Sequence, residues 1–326
     1  MVIINDDQLT EFVAELKRLL PQSYPVLKLA ENHLKRNSFA WPGLDFVVDR
    51  FPNFTACLVR PSPKHPSQNP EQQERLPLHE DYVPRRSYYM YNAVVTDVEN
   101  FRTLLDQQDA INWKAAGYFQ AIPENLLPVL EEVCSKRGSA IGPKQHADFT
   151  ATGWIVIPAE VSKIPMPASP DGITFRRPDR EDMPTLSTLW RYGAGTGETL
   201  QYLYHLHDHH FPMIGTYKDG QLIGFGIISA DMAMSAGFVK PEFRGQGLAS
   251  KLMWHSAKDL QNIGQETSFM FIWEENEASK KAMSRGGAQR QEDWKVVYVL
   301  YKPHDVDKND PLMVWYNNIH GNIQDL

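Results

Sequence analysis

The apolar positions change period along the first half of the chain. Leu9, Phe12, Val13, Leu16, Leu19 and Leu20 recur at helical spacing, which predicts a helix that Pro21 ends. A second helix is expected over residues 26–35. Residues 44–49 and 54–60 are β-type runs, with Pro52-Asn53 as the turn between them. Residues 61–86, rich in proline, glutamine and charge, predict a long exposed loop. A strand resumes over 88–95, helices follow over 98–106 and 123–137, and another strand covers 154–157. Pro158, Pro165, Pro167 and Pro170 then crowd together with Ser169 and Gly172. Such a segment reads as a semi-rigid linker, which places a domain boundary near residue 168.

The second half has a different order. Residues 173–177 form a short strand, and Asp179 or Asp182 caps a helix expected over 183–192. Gly193, Gly195 and Gly197 punctuate a loop before a helix over 198–210. Strands over 213–217 and 222–228 are joined by Lys218-Asp219-Gly220, a hairpin signal. A strand over 232–239 leads through a glycine-spaced turn into a helix. A strand over 268–273, a helix over 277–284 and a strand over 294–301 close the domain, and 304–326 read as a tail. The order β-α-α-β-β-β-α-β-α-β implies an α/β (α+β) domain with a mixed sheet flanked by helices.

The turn after residue 239 carries the clearest chemistry. Phe238-Val239-Lys240-Pro241-Glu242-Phe243-Arg244-Gly245-Gln246-Gly247-Leu248-Ala249-Ser250 runs from a strand through a small-residue loop into a helix. The first amides of a helix have no internal partner, and the helix dipole adds positive charge there. Gly245 and Gly247 let the backbone approach a ligand, and Arg244 adds a forked cation. A phosphate or pyrophosphate suits this site. No Gly-Lys-Ser/Thr follows, so it is not a P-loop, and Ser250 stands where a dinucleotide fingerprint has its third glycine.

Composition narrows the field. The chain has 326 residues, 42% hydrophobic and 22% charged, with a formal net charge of -7, which argues against a nucleic-acid-binding surface. Two cysteines, Cys57 and Cys134, make no disulfide framework and imply a reducing, intracellular compartment. No apolar run is long enough to span a membrane. The start, Met1-Val2-Ile3-Ile4-Asn5-Asp6-Asp7, reads neither as a signal peptide nor as a mitochondrial presequence, so the sequence points to the cytoplasm. His205 and His209 are four apart, but without a third ligand a polar helix end is the plainer reading and no metal is expected.

Arg244-x-x-Gly247-x-Ala249 after Val-x-Pro resembles the acetyl-CoA loop of the GNAT acyltransferase superfamily. The resemblance narrows to the glycine N-acyltransferase family through an ordered series of blocks. These are Leu19-Leu20-Pro21-Gln22-Ser23, the run Phe46 to Phe54, Leu58-Val59-Arg60-Pro61, Ile111-Asn112-Trp113, Leu189-Trp190-Arg191-Tyr192-Gly193, Pro241 to Leu248, and Asn276-Glu277-Ala278 with Met283-Ser284. It implies a GNAT fold with a degenerate GNAT-like N-terminal half over 1–168, a catalytic GNAT domain over 169–303 and a tail over 304–326. It also implies transfer of an acyl group from acyl-CoA to glycine or another small amino acid, and a mitochondrial location.

On this resemblance the amides of Gln246, Gly247, Leu248, Ala249 and Ser250, with Arg244 and Gly245, hold the CoA pyrophosphate. A backbone N–H near Phe238 or Val239, exposed where strands splay, polarises the thioester carbonyl. Asn276 hydrogen-bonds the CoA arm, caps a helix, or does both. The family's general-base glutamate falls on Asp231 when Asp231-Met232-Ala233-Met234-Ser235-Ala236-Gly237 is aligned from its start. Aligned backwards from Gly237 it falls on Met232, and a one-residue slip turns a strand side chain to the other face. A solvated hairpin Asp231, with an ordered water chain as base, is the rival. The place of the usual GNAT tyrosine acid falls near Met283. Two other functions stay open: a GNAT enzyme for a polyamine or a lysine, and a catalytically silent acyl-CoA binder.

Overall fold

Chain contacts divide the protein into two units: Met1–Thr150 with Trp294–Leu326, and Ala151–Asp293. The computed structural model describes residues 1–63, 90–142, 150–166, 168–190, 197–307 and 309–320. The expected loop over 61–86 (beyond residue 63), residues 88 and 89 of the expected strand, Pro167, and Arg191, Tyr192, Gly193 and Gly195 lie outside the described residues.

In the first unit β1 (Val2–Ile3) precedes α1 (Leu9–Arg18) and α2 (Tyr24–Lys35). Leu9, Phe12, Val13 and Leu16 are the buried stripe of α1, while Leu20 beyond it is exposed. The chain continues through β2 (Leu44–Val48), β3 (Ala56–Pro61), β4 (Met90–Val95), α3 (Val98–Asp106), β5 (Gly117–Pro123), α4 (Leu127–Lys136) and β6 (Ser139–Gly142). Strands β1 to β4 are antiparallel neighbours in sequence order. β5 lies parallel to β4 through Met90↔Tyr118 and Tyr91↔Phe119.

The second unit holds β7 (Thr150–Val156, its first residue excepted), α5 (Pro158–Val161), β8 (Ile173–Arg176), α6 (Met183–Leu189), α7 (Gly197–Asp208), β9 (Met213–Lys218) and β10 (Gln221–Ile228). β11 (Met234–Val239), α8 (Leu248–Asn262), β12 (Ser268–Trp273) and α9 (Glu277–Arg285) follow. Strands β8, β9, β10 and β11 form an antiparallel sheet. β12 pairs antiparallel with β7. β13 (Gln289–Pro303) begins in this unit and from Trp294 belongs to the first, where it pairs with β5 and β6. α10 (Pro311–His320) ends the described chain.

These divisions differ from the expected boundary at 168. β7 finds its partner in β12, more than a hundred residues on, so the second unit starts at Ala151. Pro158 opens α5 rather than a free linker, and Val161 is buried in the cluster of Trp154, Met253, Ala257 and Met270. The expected tail returns to the first unit as α10, with Leu312, Met313, Trp315 and Tyr316 buried and the Trp315 ring edge-on to Tyr118 at 5.2 Å. Residues 123–126 are a strand end and a 3-10 turn, not helix.

α8 joins two cores of the second unit. Leu248 and Leu252 pack with Ile173, Ile214, Ile223 and Val239, while Met253 and Ala257 pack with Trp154, Val156, Met270 and Ile272. Each large aliphatic side chain so buried contributes about 1.5–3 kcal/mol. The helix is therefore fixed to both sides of the gap between β11 and β12.

Candidate active site

β11 and β12 touch at a single parallel bridge, Ala233↔Phe269, and belong to separate sheets beyond it. Ser268, the first residue of β12, donates its hydroxyl to the carbonyl of Met232 at 2.7 Å and pins the point of contact. Toward Val239 no ladder joins the two strands, so the outer edge of β11 offers free backbone groups.

Register says which groups these are. The Lys240 N–H donates to the Ile223 carbonyl at 2.8 Å, so Lys240 faces β10. In an antiparallel ladder hydrogen-bonding direction alternates by residue. The amides of Phe238 and Ala236 therefore also face β10, and those of Val239 and Gly237 face away, toward β12. Of the two residues expected to bear the polarising amide, Phe238 is committed to the ladder; its ring stacks on Phe225 at 5.7 Å. Val239 has the outward amide. Gly237 shares that orientation and was not anticipated, because amide direction follows from pairing register, which composition and periodicity do not give. A Cβ on Gly237 would meet nothing within 4 Å.

The loop beyond Val239 comes next. Pro241–Phe243 form a 3-10 turn. Phe243 packs against the same apolar cluster as Leu248, which anchors the loop at both ends. Gly245 and Gly247 have φ of +79° and +74°, where a side chain is strained. Gly247 is the N-cap of α8 and provides no side-chain cap. The first-turn amides of Leu248, Ala249 and Ser250 thus lack a capping group, and Gln246 is exposed beside them. The Ser250 hydroxyl turns away and donates to the Ala282 carbonyl at 2.9 Å, so only its amide points to the loop. Arg244 donates Nε to the Val239 carbonyl at 3.0 Å, leaving the terminal nitrogens for a ligand. Strand edge, loop amides and guanidinium form one continuous donor surface suited to a phosphorylated, amide-bearing chain.

The first unit has the same strand order without this surface. There β4 and β5 are laddered, and Tyr91, Trp113, Phe119 and Tyr301 fill the place with rings 5.1 to 6.1 Å apart. The helix after β4, α3, is capped by Asp97, whose carboxylate accepts from the amides of Glu99 and Asn100 at 3.0 and 3.1 Å. An anion is already in place.

Asp231 is not a solvated hairpin residue. It is buried in the turn between β10 and β11, where its Oδ1 accepts from the Ser229 hydroxyl and from the Ala233 N–H at 3.3 Å. Burial raises its carboxyl above the ordinary aspartate value, against the lowering effect of these hydrogen bonds. Met232, the other alignment, has φ +60° and a fully buried side chain. The one-residue difference between the two alignments coincides with a bulge: Ile227 pairs Ala236 but Ile228 pairs Met234, leaving Ser235 unpaired.

Asn276 is the N-cap of α9 and accepts from the Ser279 amide at 3.0 Å; its side-chain NH2 is left for other partners. Met283 packs against the Trp154–Met270 cluster and supplies no acid. Cys57 and Cys134 are buried free thiols, and burial pushes the Cys134 thiol up to about 12 and Cys57 up as well. Neither is a ready nucleophile. The His205 and His209 rings stack at 4.1 Å, and among the described residues no three metal-ligating side chains gather. Of the aromatic stripe over 190–204, Trp190 is buried beside Tyr202, and Arg180 covers Tyr204.

Residues 1–152 match the family described as aralkyl acyl-CoA:amino acid N-acyltransferase, and residues 180–286 match the acetyltransferase (GNAT) family. Residues 1–152 are thus similar to the N-terminal part of the aralkyl acyl-CoA:amino acid N-acyltransferases, and residues 180–286 to a GNAT acetyltransferase domain. A Drosophila protein of known structure shares the fold at a TM-score of 0.70 and 15% identity, over 92% of this chain and 97% of that one. A tandem GNAT protein from the clavulanic acid biosynthesis pathway matches at a TM-score of 0.49 and 15% identity, over 94% of this chain and 99% of its own. The two matches together support acyl-CoA-dependent transfer to an amine. No helix among the described residues is long and apolar enough to cross a membrane.

Proposed function

We propose that this N-acyltransferase moves an acyl group from acyl-CoA to the amino group of glycine or another small amino acid by direct attack. The observation that supports it best is the alignment of the outward amides of Gly237 and Val239 with the uncapped start of α8. An extended pantetheine arm would lie along the β11 edge, with its pyrophosphate against Gln246, Gly247, Leu248, Ala249 and Ser250 and its charge met by Arg244. Asn276 would donate its NH2 to the CoA arm. The family description matched by residues 1–152 supports an amino-acid acceptor.

In the reaction the amine nitrogen attacks the thioester carbonyl. The developing oxyanion takes hydrogen bonds from an outward β11 amide, that of Val239 or Gly237. Collapse of the intermediate breaks the C–S bond; the nitrogen, now bonded to the acyl carbon, gives up its second proton to solvent, and the departing thiolate takes one from solvent, since Met283 offers none. The amine must first lose a proton. Asp231 is the proposed acceptor of that proton. A carboxylate raised by burial is a stronger base than a solvated one, and its Oδ2 is free of the two hydrogen bonds that hold Oδ1.

Two buried thiols fit an intracellular, reducing site. Incubation with benzoyl-CoA and single amino acids, with mass spectrometry of the products, tests the reading. An N-benzoyl amino acid is expected. A product formed only from spermidine or a lysine peptide would replace it.

A further inference from the structure

Close to the end of β11 lies a groove of about 300 Å³, lined by Pro184, Thr185, Thr188 and Leu189 of α6 and by Lys240. Lys240 lies between Val239 and the loop proline Pro241. The side chain of Val239 packs beneath α8 with Leu248 and Leu252. Strand side chains alternate between faces, so the next one, Lys240, points to the opposite side, where α6 borders the groove. The proposed phosphate donors thus belong to the α8 face, and Lys240 to the other.

Lys240 is a cation without a partner: it makes no ion pair with any described residue. Some other lysines of this unit are paired, Lys163 with Glu160, Lys218 with Asp219 and Lys280 with Glu274 and Glu277, and Lys258 lies over the Trp254 ring. The groove is also short and mixed in character. Pro184 and Leu189 give it apolar walls. The Thr188 hydroxyl donates to the Pro184 carbonyl at 3.0 Å, which leaves its oxygen as an acceptor. A single ammonium in a small groove beside a strand edge suits a small molecule with one anionic end.

We propose that Lys240 binds the α-carboxylate of the acceptor amino acid, so that the groove is the acceptor subsite. This inference rests on the N-acyltransferase reading and adds a specificity to it. The ammonium attracts an amine that carries a carboxylate and repels a polyamine or lysine side chain. The carboxylate takes a charge-assisted hydrogen bond, and the α-amino group two bonds away is held toward the edge of β11.

Steady-state kinetics with benzoyl-CoA separates this role from others. Wild type, Lys240→Gln and Lys240→Arg are compared with glycine and with glycinamide, which has the amine but no carboxylate. Lys240→Gln is expected to raise KM for glycine about tenfold, the usual scale for losing a charge-assisted contact. KM for glycinamide and for benzoyl-CoA should stay within about twofold, and Lys240→Arg should restore most of the affinity for glycine. An equal rise for glycine and glycinamide, no rise for either, or a rise in KM for benzoyl-CoA would overturn the proposal; the last would assign Lys240 to a CoA phosphate. Failure of the wild type to acylate either amine, with benzoyl-CoA still bound, would overturn the parent reading and is seen without any variant.

Discussion

The Nε of Arg244 donates to the carbonyl of Val239 at 3.0 Å, so the cation of the loop is tied to the strand edge it follows. The guanidinium lies 6.0 Å from the Phe238 ring. Its position is set before any ligand arrives, which reduces the ordering cost of binding. Arg244→Gln should raise the Kd for CoA by about 10- to 100-fold, from the loss of one charged hydrogen-bonding partner of about 1.5–3 kcal/mol. Isothermal titration with CoA and with 3′-dephospho-CoA checks it. Pyrophosphate contact predicts the same loss for both.

Gly247 and Asp97 each cap a helix that follows a strand, and they differ in what they leave open. Asp97 fills its own first turn, whereas Gly247 leaves its turn bare. Gly247→Ala finds open space but a φ of +74°, so it should cost about 1–2 kcal/mol of stability and weaken CoA binding modestly. Gly247→Asp should abolish measurable CoA binding, because a carboxylate would stand beside the phosphate. Thermal shift with and without CoA separates the two effects. Equal CoA-induced shifts in wild type and Gly247→Asp would show that the pyrophosphate lies elsewhere.

Asp231 carries both a structural and a proposed chemical role. Asp231→Asn keeps an Oδ1 that accepts from Ser229 and Ala233 but removes the charge and the base. If Asp231 is the base, kcat falls by about 10²- to 10⁴-fold and the acid limb of the pH profile disappears. Its folded pKa is raised. The associated stability is therefore full below the ordinary aspartate value and is lost as pH rises through the folded value. Asp231→Asn should then gain stability over wild type as pH is raised through that window, and match it in acid. An unchanged kcat and pH profile would leave Asp231 with the turn alone.

Asn276 and Ser250 separate scaffold from ligand contact. Asn276→Asp keeps the Oδ1 that caps α9 and loses the NH2, so stability should hold while CoA affinity falls. Asn276→Ala should additionally cost about 1 kcal/mol. Ser250→Ala loses the bond to Ala282 but keeps its amide, so stability should drop and CoA affinity should not. Denaturant melts paired with CoA titrations read both quantities.

The strands and helices of the second half were legible because each carries a strong period or a turn signal: Asp219-Gly220 for the β9–β10 hairpin, and Gly245 and Gly247 for the entry to α8. β5 was missed because Gly117, Gln120 and Pro123 interrupt its pattern, and because it is nearly all buried and shows no alternation. The division at Ala151 was out of reach: it depends on β7 pairing with β12, a contact that no local composition encodes. The same holds within the site. The loop residues could be named from sequence, but which β11 amide points outward depends on the register against β10. Sequence left Asp231 open between a general base and a solvated hairpin residue, because its burial depends on the tight Ser229–Ala233 turn.

Whether acyl transfer reaches an amino acid is decided by one assay: thiol release from benzoyl-CoA, alone and with glycine, glutamine, spermidine or a lysine peptide. Release that requires glycine or another small amino acid, and that Arg244→Gln lowers through KM for benzoyl-CoA, is the expected result. Release driven only by spermidine or peptide, or saturable CoA binding with no release from any acceptor, would contradict it.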